Sequence, residues 1–147
     1  MFYLPHIICF SESKLDKSVL DGEISIEHYY CLRKDRNKSG GGVACFIHKS
    51  IGFEERSDFS DDFENIFIDI LLPLTNFILL GVAYHPASDI IFFEKLSNSI
   101  SNSNSFDAQE FILLWDFNVN LLDRKKDLFI RKATGSQMKI ITQHHFI

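Results

Sequence analysis

Residues 66–84 are apolar almost throughout, and Asp69, Pro73 and Asn76 break the run. A membrane helix would need an unbroken apolar stretch of about 20 residues. The interruptions instead predict two buried strands, 66–72 and 77–84, joined by a turn at Pro73–Asn76. Such a pair needs cover on both faces, so the rest of the chain must supply a second layer. The apolar share is 46% and Phe alone numbers fifteen, which suits a sheet-rich core.

Other segments repeat the pattern. Residues 6–10 (HIICF) read as a short buried strand, with SESKLD as a polar loop after it. EHYYCLR (27–33) and VACFIHK (from Val43) read as strands around the charged, Gly-rich turn KDRNKSGGG. The period then changes. Ile90, Phe93, Leu96 and Ile100 recur at spacings of 3, 3 and 4, predicting a helix over 89–101 capped by Ser88 or Asp89. EFILLW (110–115) is a buried strand ending in DFN. A helix over 124–133 and a last strand around Met138–Thr142 follow. Hairpins first and helices later predict an α/β fold, with mixed sheets and helices outside. At 147 residues the chain fits a single domain, 1–147.

Composition narrows the function classes. Fifteen Lys and Arg against twenty Asp and Glu give a net charge of −5, which argues against tight nonspecific nucleic-acid binding. Cys9, Cys31 and Cys45 lack zinc-site spacing and sit among apolar residues, so reduced thiols inside a cell are expected. Met1–Phe10 is apolar but short, without a basic stretch before it, so no signal peptide or membrane span is expected. The expected compartment is therefore intracellular, nuclear or cytoplasmic. Gly40–Gly42 lack the strand–loop–helix setting of a phosphate loop and read as a hairpin turn. His144 and His145 are sequence neighbours, which point to opposite faces of a strand, and read as incidental.

Two acids follow apolar runs at strand ends: Glu12 in IICFSES, and Asp116 in ILLWDFN with Asn118 two residues on. Sites in α/β sheets form beyond strand ends, and hard oxygen ligands there can hold Mg²⁺ with waters and phosphate oxygens. Taken singly, each acid also reads as a strand-terminating surface residue.

Four segments in order resemble the endonuclease domains of non-LTR retrotransposons (jockey-like), within the exonuclease–endonuclease–phosphatase superfamily. They are PHIICFSES, LRKDRNKSGGGVACFI, LLGVAYHPAS and ILLWDFNVNLLD, spread over most of residues 4–142. The resemblance implies a partial two-sheet α/β sandwich of that superfamily and Mg²⁺-dependent (or Mn²⁺-dependent) nicking of target DNA, with no small-molecule cofactor. Glu12 would be a metal ligand, and Asp116 would orient or deprotonate the attacking water. Asn118 would help place water or metal, and Tyr84 would donate a hydrogen bond to the scissile phosphate. Arg33, Lys34, Arg36 and Lys38 could touch DNA phosphates, or could simply be a solvated turn.

The chain also departs from that pattern. The family has an earlier strand ending in Asn, and a Ser-Asp-His segment near its end. Neither occurs here: Ser57-Asp58 is followed by Phe59. Trp115 stands where the family has Gly, and His85 where it has Arg. Each change needs one base substitution, as in a decaying copy. The expectation is a truncated, inactive fragment, prone to self-association through unpaired strand edges. Trp115 is expected to crowd the approach of phosphate to Asp116, and His85 to replace a cation there. The rival expectations are a non-enzymatic remnant and a phosphatase of the same superfamily.

Overall fold

The computed structural model describes residues 4–59, 63–73, 77–86, 91–102, 108, 110–116 and 138–143, with backbone alone at 102, 116 and 138–143. Its elements in chain order are β1 (Ile7–Ser11), α1 (Asp21–Ile24), β2 (Tyr29–Lys34), β3 (Val43–His48) and β4 (Phe53–Glu55). After them come β5 (Asn65–Ile70), β6 (Ile78–Tyr84), α2 (Phe92–Asn102), β7 (Glu110–Asp116) and β8 (Met138–Gln143). The helix expected over 124–133, together with Ser88, Asp89, Asn118, His144 and His145, lies outside the described residues.

Two sheets form. The smaller has the order β1-β3-β2 and is antiparallel throughout. The larger has the order β4-β5-β6-β7-β8. It is antiparallel from β4 to β6 and parallel from β6 to β8. The change of direction falls where α2 replaces a tight turn between β6 and β7, as parallel pairing requires a crossover. The turn expected at Pro73–Asn76 lies largely outside the described residues, and the Gly-rich segment joins β2 to β3.

Alternation along the strands builds three layers. Val43, Cys45 and Ile47 of β3 face Ile66, Ile68, Leu80, Val82 and Tyr84 across the two sheets. On the other face of the large sheet, Phe67, Leu79, Ala83, Phe111, Leu113 and Trp115 pack under Phe92, Leu96 and Ile100 of α2. The helical stripe read from sequence is therefore the buried face of α2, offset by one position at its start. Among the described residues no helix is long and apolar enough to cross a membrane.

Two elements were not foreseen. β4 is three residues long and largely charged, and it exists because Phe53–Glu55 pair with Ile68–Ile70. α1 is a single turn, held where the Leu20 N–H donates to Glu23 Oε2 at 2.7 Å.

Arg56 ties the edge of the large sheet together. Its Nη1 donates to both carboxylate oxygens of Asp69 at 3.1 Å, and its Nε and Nη2 donate to Asp58 at 2.7 and 2.6 Å. Burial raises the Asp69 carboxyl, outweighing the pull of Arg56. A carboxyl raised by folding favours the protonated folded state. Its contribution is therefore full below the unfolded pKa and lost as pH rises through the folded one. Wild type should accordingly gain urea resistance relative to Asp69→Asn as the pH is lowered through the titration of this carboxyl. A relative loss on acidification would mean that Arg56, not burial, dominates.

Candidate active site

The end of the sandwich where β1, β2, β6 and β7 finish is built around Gly40–Gly42. After Ser11 the chain turns sharply: Glu12 and Lys14 both have positive φ, 54° and 55°. Non-glycine residues adopt this left-handed conformation uncommonly, and only where surrounding contacts hold it. Here the Ser13 and Lys14 N–H groups donate to the carbonyls of Gly42 and Gly41, at 3.1 and 3.0 Å.

Gly41 and Gly42 also have positive φ, 80° each. Space as well as conformation requires glycine there. A Cβ on Gly41 would lie 2.5 Å from Arg36 Cδ and 3.3 Å from Tyr84 Cε1, and one on Gly42 would lie 2.7 Å from Ser13 Oγ. A Cβ on Gly40 would stand 3.7 Å from Glu12 Oε1. The glycine segment thus lies against the Glu12 carboxylate at Gly40 and against Arg36 and the Tyr84 ring at Gly41. The segment is the β2–β3 hairpin connection.

Glu12 is partly exposed and lies 3.8 Å from Lys14 Nζ. Tyr84 is buried, and its N–H donates to the Glu64 carbonyl at 3.0 Å. The Glu64 side chain in turn lies 3.4 Å from Arg36 Nε. Asp116 is the register partner of Tyr84 in the parallel β6–β7 pair, so their backbones adjoin at this end. The structure therefore brings Glu12, Arg36, Tyr84 and the Asp116 backbone to one end. Glu64 was not singled out from sequence. It follows the acidic run SDDF and carries no motif, and only folding sets it beside Arg36.

The remaining basic residues differ from one another. Arg33 is 18% exposed and is engaged inside the protein. Its Nε lies 3.1 Å from Asp21, its Nη2 3.5 Å from Asp35, and that same Nη2 donates to the Val19 carbonyl at 2.7 Å. Lys38 is 65% exposed and lies 3.9 Å from Asp16. Lys34 closes β2 opposite Val43.

Two expectations need correction. Trp115 does not crowd this end. It is 2% exposed on the α2 side of the sheet, edge-on to Phe92 and Phe93 at ring distances of 5.9 and 5.6 Å. His85 does not stand in for a solvent-facing cation. It is 4% exposed, with its ring 4.5 Å from Phe92 and 5.5 Å from Phe93. Both side chains belong to the helix-covered core, because alternation turns a residue next to a strand-end site onto the opposite face.

A divalent cation fits the donor chemistry on one side only. Among the described residues no three His, Cys, Asp or Glu side chains are grouped to hold a metal. Glu12 is a hard oxygen donor at a strand end. Mg²⁺ commonly takes one or two protein carboxylates and completes its shell with water and phosphate oxygens. Glu12 would hold such an ion, and a second ligand would come from beyond the described side chains.

No family model matches the chain, and no curated protein matches it by sequence. By structure it is similar to ANGEL2, a 2′,3′-cyclic phosphatase, with a TM-score of 0.55 and 17% identity. That match covers 86% of this chain and 43% of ANGEL2. The chain has the exonuclease–endonuclease–phosphatase fold.

Proposed function

We propose that the chain is a phosphodiester-hydrolase domain of the retrotransposon endonuclease kind, with DNA as its substrate. The carrying observation is that Glu12 and Tyr84 both lie against the glycine segment, at Gly40 and Gly41, with Asp116 paired to Tyr84 on the neighbouring strand. Phosphodiester hydrolysis needs an aligned water and neutralised charge on the phosphate oxygens. Glu12 would hold Mg²⁺ or Mn²⁺, which supplies the charge neutralisation. Tyr84 would donate a hydrogen bond to a non-bridging phosphate oxygen. Asp116 would accept the proton of the attacking water, with Asn118 orienting that water. Arg36, Lys34 and Lys38 would contact the flanking phosphates, while Arg33 would act at one remove by holding the 19–21 segment against β2. Work on DNA would be nuclear or cytoplasmic, where resting thiols are ordinarily kept reduced.

Residues 1–147 contain no Ser-Asp-His segment. Groups that act as a unit lose on the order of 10⁴-fold when one member is missing. Purified residues 1–147 with Mg²⁺ or Mn²⁺ should therefore leave supercoiled plasmid no more relaxed than the Asp116→Ala variant does. The same protein should bind a short duplex in a Mg²⁺-dependent way by fluorescence anisotropy, and Glu12→Gln should abolish that dependence. Nicking that Asp116→Ala removes would overturn the inactive reading. Binding indifferent to both Mg²⁺ and Glu12→Gln would remove Glu12 from the site.

A second reading rests on the similarity to ANGEL2, whose name gives 2′,3′-cyclic phosphates as substrate. It calls for the same end of the sandwich and a smaller ester. Hydrolysis of a 2′,3′-cyclic nucleotide, lost in Asp116→Ala and undiminished by excess duplex DNA, would favour it.

A further inference from the structure

Cys9 and Cys45 face each other in the β1–β3 ladder, with their sulfur atoms 3.5 Å apart. The ladder pattern fixes what kind of pair this is. The His48 N–H donates to the His6 carbonyl at 2.8 Å, one step beyond the Ile7↔Ile47 pair. Pairs alternate along an antiparallel ladder, so Cys9↔Cys45 is a non-hydrogen-bonded pair, the kind whose side chains stand closest. Its Cα separation, typically about 4.5 Å, lies within the range a disulfide spans. Cys31 cannot compete. It is opposite Phe46 and packs with Tyr29 and Ala44 on the other face of the small sheet.

The two sulfurs are unequal. Cys45 is 0% exposed, whereas Cys9 is only partly buried, so an oxidant reaches Cys9 first. The contact with Cys45 also lowers the Cys9 thiol against the opposing effect of burial, and the same contact, then burial, raises Cys45. Thiolate is the nucleophilic form, and Cys9 is the sulfur of the pair that solvent reaches.

We propose that Cys9 and Cys45 are a peroxide-responsive dithiol that closes to a cross-strand disulfide between β1 and β3. The Cys9 thiolate attacks one peroxide oxygen. An S–O bond forms, the O–O bond breaks, and the departing hydroxide takes up a proton to leave as water. The Cys45 sulfur then attacks the Cys9 sulfenic acid. The S–S bond forms, the S–O bond breaks, and the Cys45 proton leaves with the hydroxyl as a second water. Two thiols lose two electrons in all and one peroxide gains them. The bond links the strand that leads into Glu12 to the strand that leaves Gly42, and so secures the end of the sandwich where those residues meet.

Trypsin separates the three cysteines: Cys9 falls in Met1–Lys14, Cys31 in Ser18–Arg33 and Cys45 in Ser39–Lys49. The folded chain is treated with stoichiometric hydrogen peroxide, alkylated under denaturing conditions, digested and mapped by mass without reduction. The expected product links Met1–Lys14 to Ser39–Lys49, with Cys31 alkylated, so two of the three free thiols are lost. Reduction should restore all three. Cys31→Ser should behave as wild type, and Cys45→Ser should leave a Cys9 sulfenic acid that dimedone traps. A link through Cys31, an intermolecular link, or no link while the Cys45 thiol survives would each overturn the proposal. Circular dichroism of the reduced variants confirms that each reports on the folded chain.

Discussion

Gly81→Ala is expected to destabilise the protein by about 1–3 kcal/mol, the cost of forcing one extra methyl into a filled core. Gly81 lies on β6 between Leu79 and Ala83, and all three face α2. A Cβ built there would sit 2.8 Å from Phe67 Cδ1 and 2.9 Å from Leu113 Cδ1. Phe67 is the register partner of Gly81, and its ring lies across the strand in the space that a side chain would fill. The ring has nowhere to go. It is stacked on Phe59 at 3.8 Å with an interplanar angle of 9°, and Phe111 flanks it at 6.3 Å. The constraint is therefore contact rather than backbone conformation. Gly81→Val should exceed the alanine cost, and Phe67→Leu combined with Gly81→Ala should recover part of it. Urea midpoints at constant slope measure all three. A midpoint for Gly81→Ala equal to wild type would mean that Phe67 moves aside freely.

Glycine at this position shows how far sequence reading reaches. The apolar runs announced β1, β2, β3, β5, β6 and β7, because a buried strand must be made of such residues. The helical stripe of α2 was legible for a similar reason: it is local. Three things were not local. β4 exists only by pairing with β5. The Arg36–Glu64 pair joins two charged segments that no spacing relates. The packing of Gly81 under Phe67 depends on cross-strand register. Motif comparison also placed Trp115 and His85 wrongly in space. A motif records who is next to whom along the chain, whereas a strand sends neighbours to opposite faces. Glu12 and Tyr84 were legible as strand-end residues. Their gathering at one end of the sheets was legible too, but the sharp turn of two left-handed residues after β1 that sets Glu12 beside Gly40 was not.

Trp115→Gly is the substitution that separates these two views most sharply. Read as a motif, it restores the glycine beside Asp116 and should open the site. Read from the packing, it removes a buried indole and leaves a hole under α2. Phe92, which is fully buried, meets Trp115 edge-on on one side and His85 and Phe63 on others, at 4.5 and 5.3 Å. Deleting a core aromatic of this kind costs about 3–5 kcal/mol, and glycine in a strand interior adds roughly 0.5–1 kcal/mol through backbone entropy. Domains of this size have about 5–15 kcal/mol in all, so the variant should lose a large share of its stability. The expected result is a much lower urea midpoint, weakened near-ultraviolet circular dichroism from the aromatic cluster, and no gain in plasmid nicking. Trp115→Phe, which keeps an aromatic ring under α2, should lose much less. The two readings divide on one comparison. Increased nicking in Trp115→Gly with an unchanged midpoint would put the indole at the reacting end of the sandwich. A lowered midpoint without nicking leaves it where its contacts with Phe92 and Phe93 hold it, as part of the packing behind β7.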